Sequence, residues 1–539
     1  MTGSKEKKNI LENKLYLYLT EFFSGVSVMA VELGASRLLA PYFSSSQIVW
    51  TIIIGTIMIA MALGNLYGGR SADKNPDPSV LYKRIIIAAL WIAAIPFLGK
   101  YVILGISALL IMTISTNLLI IAAFISCMII FVFPLFLLGT VGPSLVKYTV
   151  DSLDDSGSIV GRLNACNTIG SIIGTFLPTF VTIPAVGTSL TFIIFSGILA
   201  LIGMIYFISE KKAVKFCIIS VILFIVFSFF GHNSSFAFWE DDLTYEGESV
   251  YNYLQVKDSD DMTILSTNVL FGVQSVKMKE DGLTGLYYDY DLAAPYMASY
   301  MANEDSAPEV LILGNCAGTF ASQCIKYFPD AYVEGVEIDG KITKLAREYF
   351  AMPDSVVVTE YDGRAYLQTI DRKYDVIQVD AYQDITIPFQ MSSVEFFTLV
   401  RDHLKENGVM VVNMNMHSDG EGSINEYLCD TISSVFPNVY TVDVSGSTNK
   451  ELFAAVNYDI ADVLQQTASQ MDDADVKNLM LNIAGKMVPY ESKGHILTDD
   501  KAPVELLGMS MIDELIQDEL AYYKSYYGNM SLREIIDSL

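Results

Sequence analysis

Glycines and carboxylates at the ends of apolar runs in the C-terminal half have the spacing expected of a nucleoside site. The stretch "LILGNCAG" puts Gly314 and Gly318 in a turn between a buried strand and a helix, where backbone amides can approach a ligand. Glu337 ends the next apolar run, and a carboxylate there can accept hydrogen bonds from both hydroxyls of a ribose. The turn lacks the G-x-G-x-x-G pattern, so an adenosyl ligand without pyrophosphate fits better than a dinucleotide.

Two more carboxylates end the runs that follow. Asp362, next to Gly363, is placed to accept a hydrogen bond from an adenine amino group, and Asp380 ends the run "YDVIQV". A glycine in a first turn can also serve helix packing alone. Asp380 can likewise be a solvent-exposed acid at a strand end without a catalytic role. Glu337 and Asp362 at successive strand ends favour ligand binding.

The elements that must position these residues are strands and helices in alternation. Residues 245 to 290 show short strand patterns between Gly and Asp turns, which indicate a small β domain. From residue 308 apolar strand runs alternate with helical segments, which predicts a doubly wound α/β sheet. Ligands of such a sheet lie beyond the carboxyl ends of its strands, where the residues above are found.

The N-terminal half has the composition of a membrane region. Of the 539 residues 52% are hydrophobic, and the mean hydropathy is +0.39. Several apolar runs are long enough to cross a hydrocarbon core of about 30 Å, and no signal peptide is expected because further runs follow the first. The runs lie at 15–33, 48–68, 84–98, 101–115, 117–140, 163–183, 188–208 and 214–231. We therefore expect seven or eight transmembrane helices.

Basic residues near the first two runs place the N-terminus in the cytoplasm by the positive-inside rule. They are Lys5, Lys7, Lys8, Lys14, Arg70, Lys74, Lys83 and Arg84. With eight spans the C-terminal half is also cytoplasmic, but Lys211, Lys212 and Lys215 then lie outside. With seven spans these lysines are inside and the C-terminal half is outside. We expect a multi-pass protein of a bacterial inner membrane with a cytoplasmic catalytic domain.

Charge, cysteines and histidines exclude several other classes of protein. The formal net charge of -27 argues against nucleic-acid binding, which needs clustered Lys and Arg. The six cysteines form no C-x-x-C pair and the four histidines are scattered, so we expect reduced thiols and no metal. Glu21, Glu32 and Arg37 in the first apolar run indicate either a transport pathway or an ion pair.

Motifs along most of the chain resemble the spermidine synthase family of aminopropyltransferases, and more closely its bacterial branch with a fused multi-spanning membrane region. In the N-terminal half the resemblance rests on "GRLNACNTIGSIIGTFLPTFVTIPAVG". The C-terminal motifs follow in family order: "ESVYNYLQV", "LFGVQS", "LILGNCAG", "VEID", "DGRAYL", "VDAY", "IPFQMSSVEFF" and "TDDKAPVE". Each motif is weak alone, but the ordered set is specific.

The resemblance implies a Rossmann-like domain that binds S-adenosylmethionine or its decarboxylated form and leaves methylthioadenosine. The implied domains are a transmembrane domain at 1–235, a small β domain at 240–305, the Rossmann-like domain at 306–457 and a helical extension at 458–539. Implied cofactor-binding residues are Gly314, Gly318, Glu337, Asp362, Gly363, Asn252 and Gln274. Implied catalytic residues are Asp380 as general base, Tyr382 and Asp384, and implied pocket residues are Tyr251, Tyr253, Tyr290 and Asp291.

Departures from the family pattern bear on the acceptor. The synthases carry an acid where this chain has Ala317 and another where it has Gln383, while their Tyr-His-Glu stretch aligns with residues 290–292. Lost acids would weaken the binding of a dicationic diamine such as putrescine, because a cation leaving water needs paired charges. If Asp380 remains as base, the α-amino group of S-adenosylmethionine itself becomes the nearest nucleophile. We therefore expect cyclisation to azetidine-2-carboxylate to be favoured.

Three other functions fit the same residues. A conventional polyamine aminopropyltransferase needs an added amine, a methyltransferase yields S-adenosylhomocysteine, and a transporter or sensor binds the nucleoside without turnover. Fold alone does not choose among them. The expected partners are a lipid bilayer, a small-molecule substrate and a second copy in a homodimer, but no nucleic acid.

Overall fold

The computed structural model describes residues 10–43, 46–111, 117–149, 156–232, 234–269, 272–302, 307–381, 387–414 and 420–508. The chain divides into two compact units. The N-terminal unit comprises Met1–Glu240 and Gly247–Tyr253, and the C-terminal unit comprises Asp241–Glu246 and Leu254–Leu539. The sequence analysis expected the helical domain to end at residue 235 and the small β domain to begin at residue 240.

The described part of the N-terminal unit is helical. Its helices are α1 (Lys14–Phe43), α2 (Gln47–Lys74), α3 (Pro78–Ile111), α4 (Leu118–Gly139), α5 (Val141–Thr149), α6 (Ser156–Leu177), α7 (Ile183–Glu210) and α8 (Val214–His232). Six continuous helical stretches among the described residues are long and apolar enough to cross a membrane. The six stretches differ from the predicted seven or eight in two places. The runs 84–98 and 101–115 form one helix, α3, whereas the runs 163–183 and 188–208 belong to α6 and α7, which are continuous in one helical stretch, Ser156–Glu210.

Helix α6 runs parallel to α1. A side-chain carbon on Gly170 would clash with the Phe22 carbonyl, and one on Gly174 would lie 2.8 Å from the Val26 Cα. Residue numbers in the two helices therefore rise together along the contact. Glycine at these positions lets the two backbones approach closely, as in many packed membrane helices.

Helix α7 runs antiparallel to α1. The Tyr16 hydroxyl donates to the Ile202 carbonyl over 2.8 Å, whereas Gly34, more than four turns along α1, faces the ring of Phe192. Since α6 and α7 have opposite directions against the same helix, the 55-residue stretch folds back on itself. Gly187, with φ 81° and ψ 170°, interrupts the helical conformation at the bend. This stretch is a helical hairpin.

The other long helices continue the alternation. Helices α3 and α8 are antiparallel to α7, α2 is antiparallel to α3, and α4 is parallel to α2. Between α3 and α7 the contacts are Tyr82 with Tyr206 and Ile86 with Gly203, and between α8 and α7 they are Phe216 with Phe207 and Phe224 with Gly197. Arg84 of α3 contacts Ser71 of α2. Between α2 and α4 the contacts are Gly64 with Phe136 and Gly68 with Thr140. The first turn of α1 and the last turn of α8 therefore lie at opposite ends of the described bundle.

The C-terminal unit contains two sheets. The smaller sheet has the order β1-β2-β3-β4 and the larger one β12-β10-β11-β9-β8-β5-β6-β7. The strands are β1 (Leu243–Glu248), β2 (Tyr253–Asp258), β3 (Met262–Ser266), β4 (Ser275–Met278), β5 (Glu309–Leu313), β6 (Tyr332–Glu337), β7 (Val357–Glu360), β8 (Tyr374–Val379), β9 (Leu404–Met414), β10 (Asn438–Asp443), β11 (Lys450–Ala455) and β12 (Val488–Pro489). The predicted small β domain and the predicted α/β sheet are both present.

Helices fill the connections between these strands. They are α9 (Tyr287–Asp291), α10 (Ala293–Ala302), α11 (Thr319–Tyr327), α12 (Gly340–Tyr349), α13 (Gly363–Leu367), α14 (Val394–Asp402), α15 (Ile424–Ser433), α16 (Ile460–Ser469) and α17 (Ala474–Lys486). Strands β5 to β9 are parallel, and the order of the chain reverses between β5 and β8. A crevice opens at such a reversal, beyond the carboxyl ends of the two strands.

One hydrophobic core joins the segments expected as separate domains. It contains Leu265 of the small sheet, Ile312 and Val411 of the large sheet, and Leu464 and Met480 of the C-terminal helices. The boundaries at 305 and 457 therefore separate parts of one packed unit. Strands β10 and β11, which the sequence analysis did not anticipate, extend the sheet on the side of β9.

Candidate functional site

The glycine turn is held against the end of β8. Gly314 has φ 93°, and its amide donates to the Val336 carbonyl of β6 over 2.9 Å. A side-chain carbon there would clash with the Asp380 carbonyl and lie 2.7 Å from the Ala381 Cα. Only glycine combines that left-handed conformation with such close backbone approach, so the turn fixes where Asp380 starts.

Gly318 begins helix α11. Its φ is 76°, and a side-chain carbon would lie 2.8 Å from Cγ of Met352, beside the start of β7. The amides between the two glycines are already used within the fold. Cys316 donates to Glu337 over 2.9 Å and Ala317 donates to the Ser275 hydroxyl over 3.2 Å. The loop is thus a rigid bridge between three strands.

Glu337 is oriented by two backbone amides. One carboxylate oxygen accepts from Cys316, and the other accepts from Asp339 over 3.0 Å. Burial raises the pKa of Glu337 to about 7, although both amide bonds favour the charged form. Each oxygen keeps further acceptor capacity, which is what a pair of ribose hydroxyls requires.

Asp362 and Gly363 open helix α13. Asp362 caps the helix by accepting from the Ala365 amide over 2.8 Å, which leaves its second oxygen for another donor. Arg364, in the same motif, forms an ion pair with Asp499 over 2.6 Å, and Asp499 also accepts from the Ser393 hydroxyl. Three of the ordered motifs, far apart in the chain, therefore meet beside α13.

Asp380 is held by two donors. The Tyr287 hydroxyl donates to Oδ2 over 2.7 Å and the Asn413 amide donates to Oδ1 over 3.0 Å. Asn413 is fixed in turn by Asn449, whose side-chain amide donates to its oxygen over 2.8 Å. Burial raises the pKa of Asp380 to about 6, and the bonds from Tyr287 and Asn413 keep it from rising further. A carboxylate with that pKa suits proton transfer near neutral pH.

Asp291 and Glu451 form a buried acid pair next to this centre. Asp291 on α9 accepts a hydrogen bond from the Gln378 side chain, and Glu451 lies in β11. Both side chains are fully buried, and burial raises the pKa of each well above its ordinary value. Negative charge acts in the same direction, from Asp380 on both acids and from Asp291 on Glu451, whereas a hydrogen bond with Glu451 lowers the pKa of Asp291.

Three residues of this centre were absent from the sequence analysis: Tyr287, Asn413 and Glu451. The tyrosine precedes the aligned Tyr-His-Glu stretch, and the other two lie in strands with no motif of their own. Tyr290, expected as a pocket residue, is buried, and its hydroxyl donates to Ser445 over 3.3 Å. Its place in a pocket wall stays a prediction.

The remaining expected site residues lie in different parts of the chain. Tyr382 and Asp384 lie outside the described residues. Tyr251, Asn252 and Tyr253 belong to the N-terminal unit, with Tyr251 exposed and Tyr253 buried against Phe236. Gln274 precedes β4, and its carbonyl accepts from the Tyr288 hydroxyl over 3.5 Å. Their roles stay predictions.

Neither a reactive thiol nor a metal was expected, and two features bear on those expectations. Burial raises the pKa of the Cys316 thiol, which disfavours a thiolate in the glycine turn. Glu426, Asp430 and His495 come together with potential ligand atoms within 4.8 Å of one another. Asp430 already accepts from the amides of Lys493 and His495, so this group anchors the segment after β12.

Comparison with known proteins finds a family whose model matches part of the chain. Residues 296–448 match the model of the spermine/spermidine synthase domain. A Bifidobacterium longum protein described as a probable polyamine aminopropyl transferase is 53% identical over 338 residues, which cover 60% of this chain and 74% of that protein. A polyamine aminopropyltransferase of Vibrio vulnificus is 24% identical over 290 residues, covering 51% of this chain and 94% of that protein. The crystal structure of a probable spermidine synthase from Corynebacterium glutamicum has 20% identity, covers 44% of this chain and 94% of that chain, and has a TM-score of 0.36.

The contact of Gly314 with the Asp380 backbone predicts a specific loss of stability. We expect Gly314→Ala to lower the free energy of unfolding by at least about 1–3 kcal/mol, because the added carbon is overpacked against backbone. Gly285→Ala is the matched control, since Gly285 has φ 73° but nothing within 4 Å of the added carbon. Thermal unfolding of both variants in detergent measures the difference. Equal losses would contradict a role for the contact.

Proposed function

The chain belongs to the spermine/spermidine synthase family of polyamine aminopropyltransferases, and from that premise we propose that its C-terminal unit transfers the aminopropyl group of decarboxylated S-adenosylmethionine to an amine. The observation that carries this proposal is Asp380, held by Tyr287 and Asn413 at the end of β8 beside the glycine turn. A carboxylate placed there can take the proton that an attacking amine must lose.

The reaction balances without another reactant. The amine nitrogen attacks the methylene carbon next to the sulfonium, a carbon–nitrogen bond forms, and the carbon–sulfur bond breaks. The bond pair returns to sulfur, which leaves as the neutral thioether of methylthioadenosine. The proton on the new secondary ammonium passes to Asp380. Because the sulfonium is already a good leaving group, positioning supplies most of the catalysis.

The donor nucleoside would lie across the carboxyl ends of β5, β6 and β7. Glu337 would accept from the ribose hydroxyls, with its orientation set by the Cys316 and Asp339 amides. Asp362 would accept from the adenine amino group through the oxygen that does not cap α13. Gly314 and Gly318 would leave room for the sulfonium side chain. No residue role in this arrangement calls for a metal.

Cyclisation of S-adenosylmethionine to azetidine-2-carboxylate is the second candidate. Ala317, where the synthases carry an acid, is buried in the glycine turn, so the turn itself offers no counter-charge to an added diamine. The α-amino group of the donor would then attack the same carbon, and the proton would again pass to Asp380. Attack by the donor's carboxylate would give homoserine lactone and needs no base.

We place the N-terminal unit in a membrane with seven crossings. Six helical stretches are long and apolar enough, and the hairpin of α6 and α7 counts twice because its two arms run in opposite directions. Among the described residues of this half, all Lys and Arg except two lie near the end of the bundle where α1 begins. They are Lys14, Arg70, Lys74, Lys83, Arg84, Lys147, Arg162, Lys211, Lys212 and Lys215, and Lys5, Lys7 and Lys8 precede them in the sequence.

The charge asymmetry decides the side of the membrane. Arg37 and Lys100 are the two exceptions, and Lys100 donates to the Ser235 carbonyl, just after the last turn of α8. By the positive-inside rule the N-terminus is cytoplasmic. An odd number of crossings then puts the C-terminal unit on the outer side, instead of in the cytoplasm as the sequence analysis expected. Its substrates would bind from that side.

The general-base role predicts the products of an Asp380→Asn variant. We expect the protein to form methylthioadenosine from decarboxylated S-adenosylmethionine and putrescine, with kcat lowered by about 10²–10⁴-fold in the variant. Mass spectrometry of the full-length protein in detergent identifies the products. Methylthioadenosine from S-adenosylmethionine without an added amine would support cyclisation instead. S-adenosylhomocysteine, or binding without turnover, would contradict both.

The bond from Tyr287 predicts a shift of the pH profile. Asp380 must be ionised to act, so kcat/KM should fall as the pH falls through about 6. Tyr287→Phe removes a donor that stabilises the ionised form, and its acid limb should therefore move to a higher pH, by roughly one unit. Tyr300→Phe is the control, because the Tyr300 hydroxyl donates to Gln466 and the residue is not among the expected site residues. If the acid limb of the kcat/KM profile stays at the same pH in Tyr287→Phe, a group other than Asp380 sets the pH dependence.

The topology predicts which segments are accessible from outside. An epitope tag after Leu539 should bind antibody on intact spheroplasts, whereas a tag inserted after Lys212 should bind only after permeabilisation. Both tagged proteins keep the full chain. If the two tags behave alike, or in the reverse way, the number of crossings or the orientation is wrong.

A further inference from the structure

A row of polar side chains crosses three strands of the large sheet. Val379 of β8 pairs with Val412 of β9, so Asp380 lies beside Asn413, and Asn413 pairs directly with Glu451 of β11. The hydrogen bond from Asn413 to Asp380 shows that these two side chains lie on the same face. The row therefore begins at the general base and ends at a second acid two strands away.

Glu451 ends this row without a donor. It is fully buried, and neither carboxylate oxygen accepts a hydrogen bond from any donor of the described residues. Asp291, also fully buried, has one oxygen in the same condition, and neither acid forms a salt bridge within the described part of the chain. The two acids are close enough for a hydrogen bond, but such a bond needs a proton on one of them.

The surroundings of the pair are acidic or neutral. Asp380 faces it from the end of β8, Asp289 from α9 and the protonated Cys324 thiol from α11. Two carboxylates in such a place cannot both stay ionised without a cation, because the cost of burying unpaired charge is large. They hold a proton when no ligand is bound, and a buried cation can replace it.

We propose that Glu451, with Asp291, binds the far ammonium group of a diamine acceptor whose other nitrogen is attacking at Asp380. Glu451 is then a specificity-determining residue, since it supplies negative charge in a pocket that lacks the acids expected at Ala317 and Gln383. This inference rests on the proposed aminopropyl transfer, and it favours that reaction over cyclisation.

The length of the row fits a short diamine. Neighbouring strands lie about 4.8 Å apart, so the backbone positions of Asp380 and Glu451, two strand spacings apart, are separated by roughly 10 Å. With bonds of about 1.5 Å, the nitrogens of an extended diamine of four to six carbons are roughly 6–9 Å apart. Such a molecule spans the two acids with each nitrogen near a carboxylate. A monoamine reaches only Asp380.

The test compares a diamine with a monoamine in the full-length protein. In Glu451→Gln we expect the KM for putrescine to rise at least tenfold, while the KM for butylamine and the Kd for the nucleoside donor stay unchanged. Asp291→Asn should show the same pattern, because an asparagine oxygen still accepts from Gln378. Asp291→Asn also provides the test if the Glu451→Gln variant fails to fold. Equal changes for both amines, or no change, would overturn the proposal.

Calorimetry separates failure of this inference from failure of the proposed function. Putrescine titrated into the protein in buffers of different ionisation enthalpy should release a proton near neutral pH, since the ammonium replaces the proton of the acid pair. Glu451→Gln should bind without that release. Proton-linked binding without turnover would keep the subsite and refute the transferase, whereas a wild-type protein that binds no diamine would refute the subsite.

Discussion

The need of buried carboxylates for a partner is the constraint on which the rest of this site depends. Asp380 meets it with a tyrosine hydroxyl and an asparagine amide, Glu337 with two backbone amides, and Asp291 in part with Gln378. An acid left without such partners takes up a proton or binds a cation. Glu451 is in that position, and this gives the same centre a reactive end and a cation-binding end.

The partners come from elements that meet only because the sheet reverses between β5 and β8. Gly314 allows the turn after β5 to touch the backbone of Asp380, which brings the proposed nucleoside side of the crevice against the proposed base. Helix α9 covers the same edge with Tyr287 and Asp291. The antiparallel strand β11 then supplies Glu451 opposite Asn413. The positions proposed for the donor, the base and the acceptor thus lie at one edge of one sheet.

The helical unit depends on a different rule, close approach of backbones at glycine. Gly170 and Gly174 fix α6 against α1, and Gly187 lets the chain return as α7. In the proposed topology the fold-back makes the number of crossings odd, although six continuous stretches are found among the described residues. Together with the basic residues at one end, this fold-back is the basis of the proposal that the C-terminal unit faces the outer side of a membrane.

Local sequence determined the elements with strong periodicity and the residues at their ends. The strands that end at Leu313, Glu337 and Val379, the helix after Gly318 and the long apolar helices followed from the pattern, because side-chain burial repeats with the geometry of each element. So did Gly314 and Asp380, since strand ends carry ligand contacts in this class of sheet. Family motifs added the reaction and the donor.

Tertiary structure alone decided which acids share one space. Glu451 and Asn413 lie in strands that pair across 38 residues of chain, and Tyr287 reaches Asp380 from 93 residues away. No local period encodes such pairs, because register and helix placement depend on the packing of the whole core. For the same reason the sequence showed acids missing at Ala317 and Gln383, while the fold supplied another from β11. Hydropathy separated the runs 163–183 and 188–208, but the directions of α6 and α7 are fixed only by their contacts with α1.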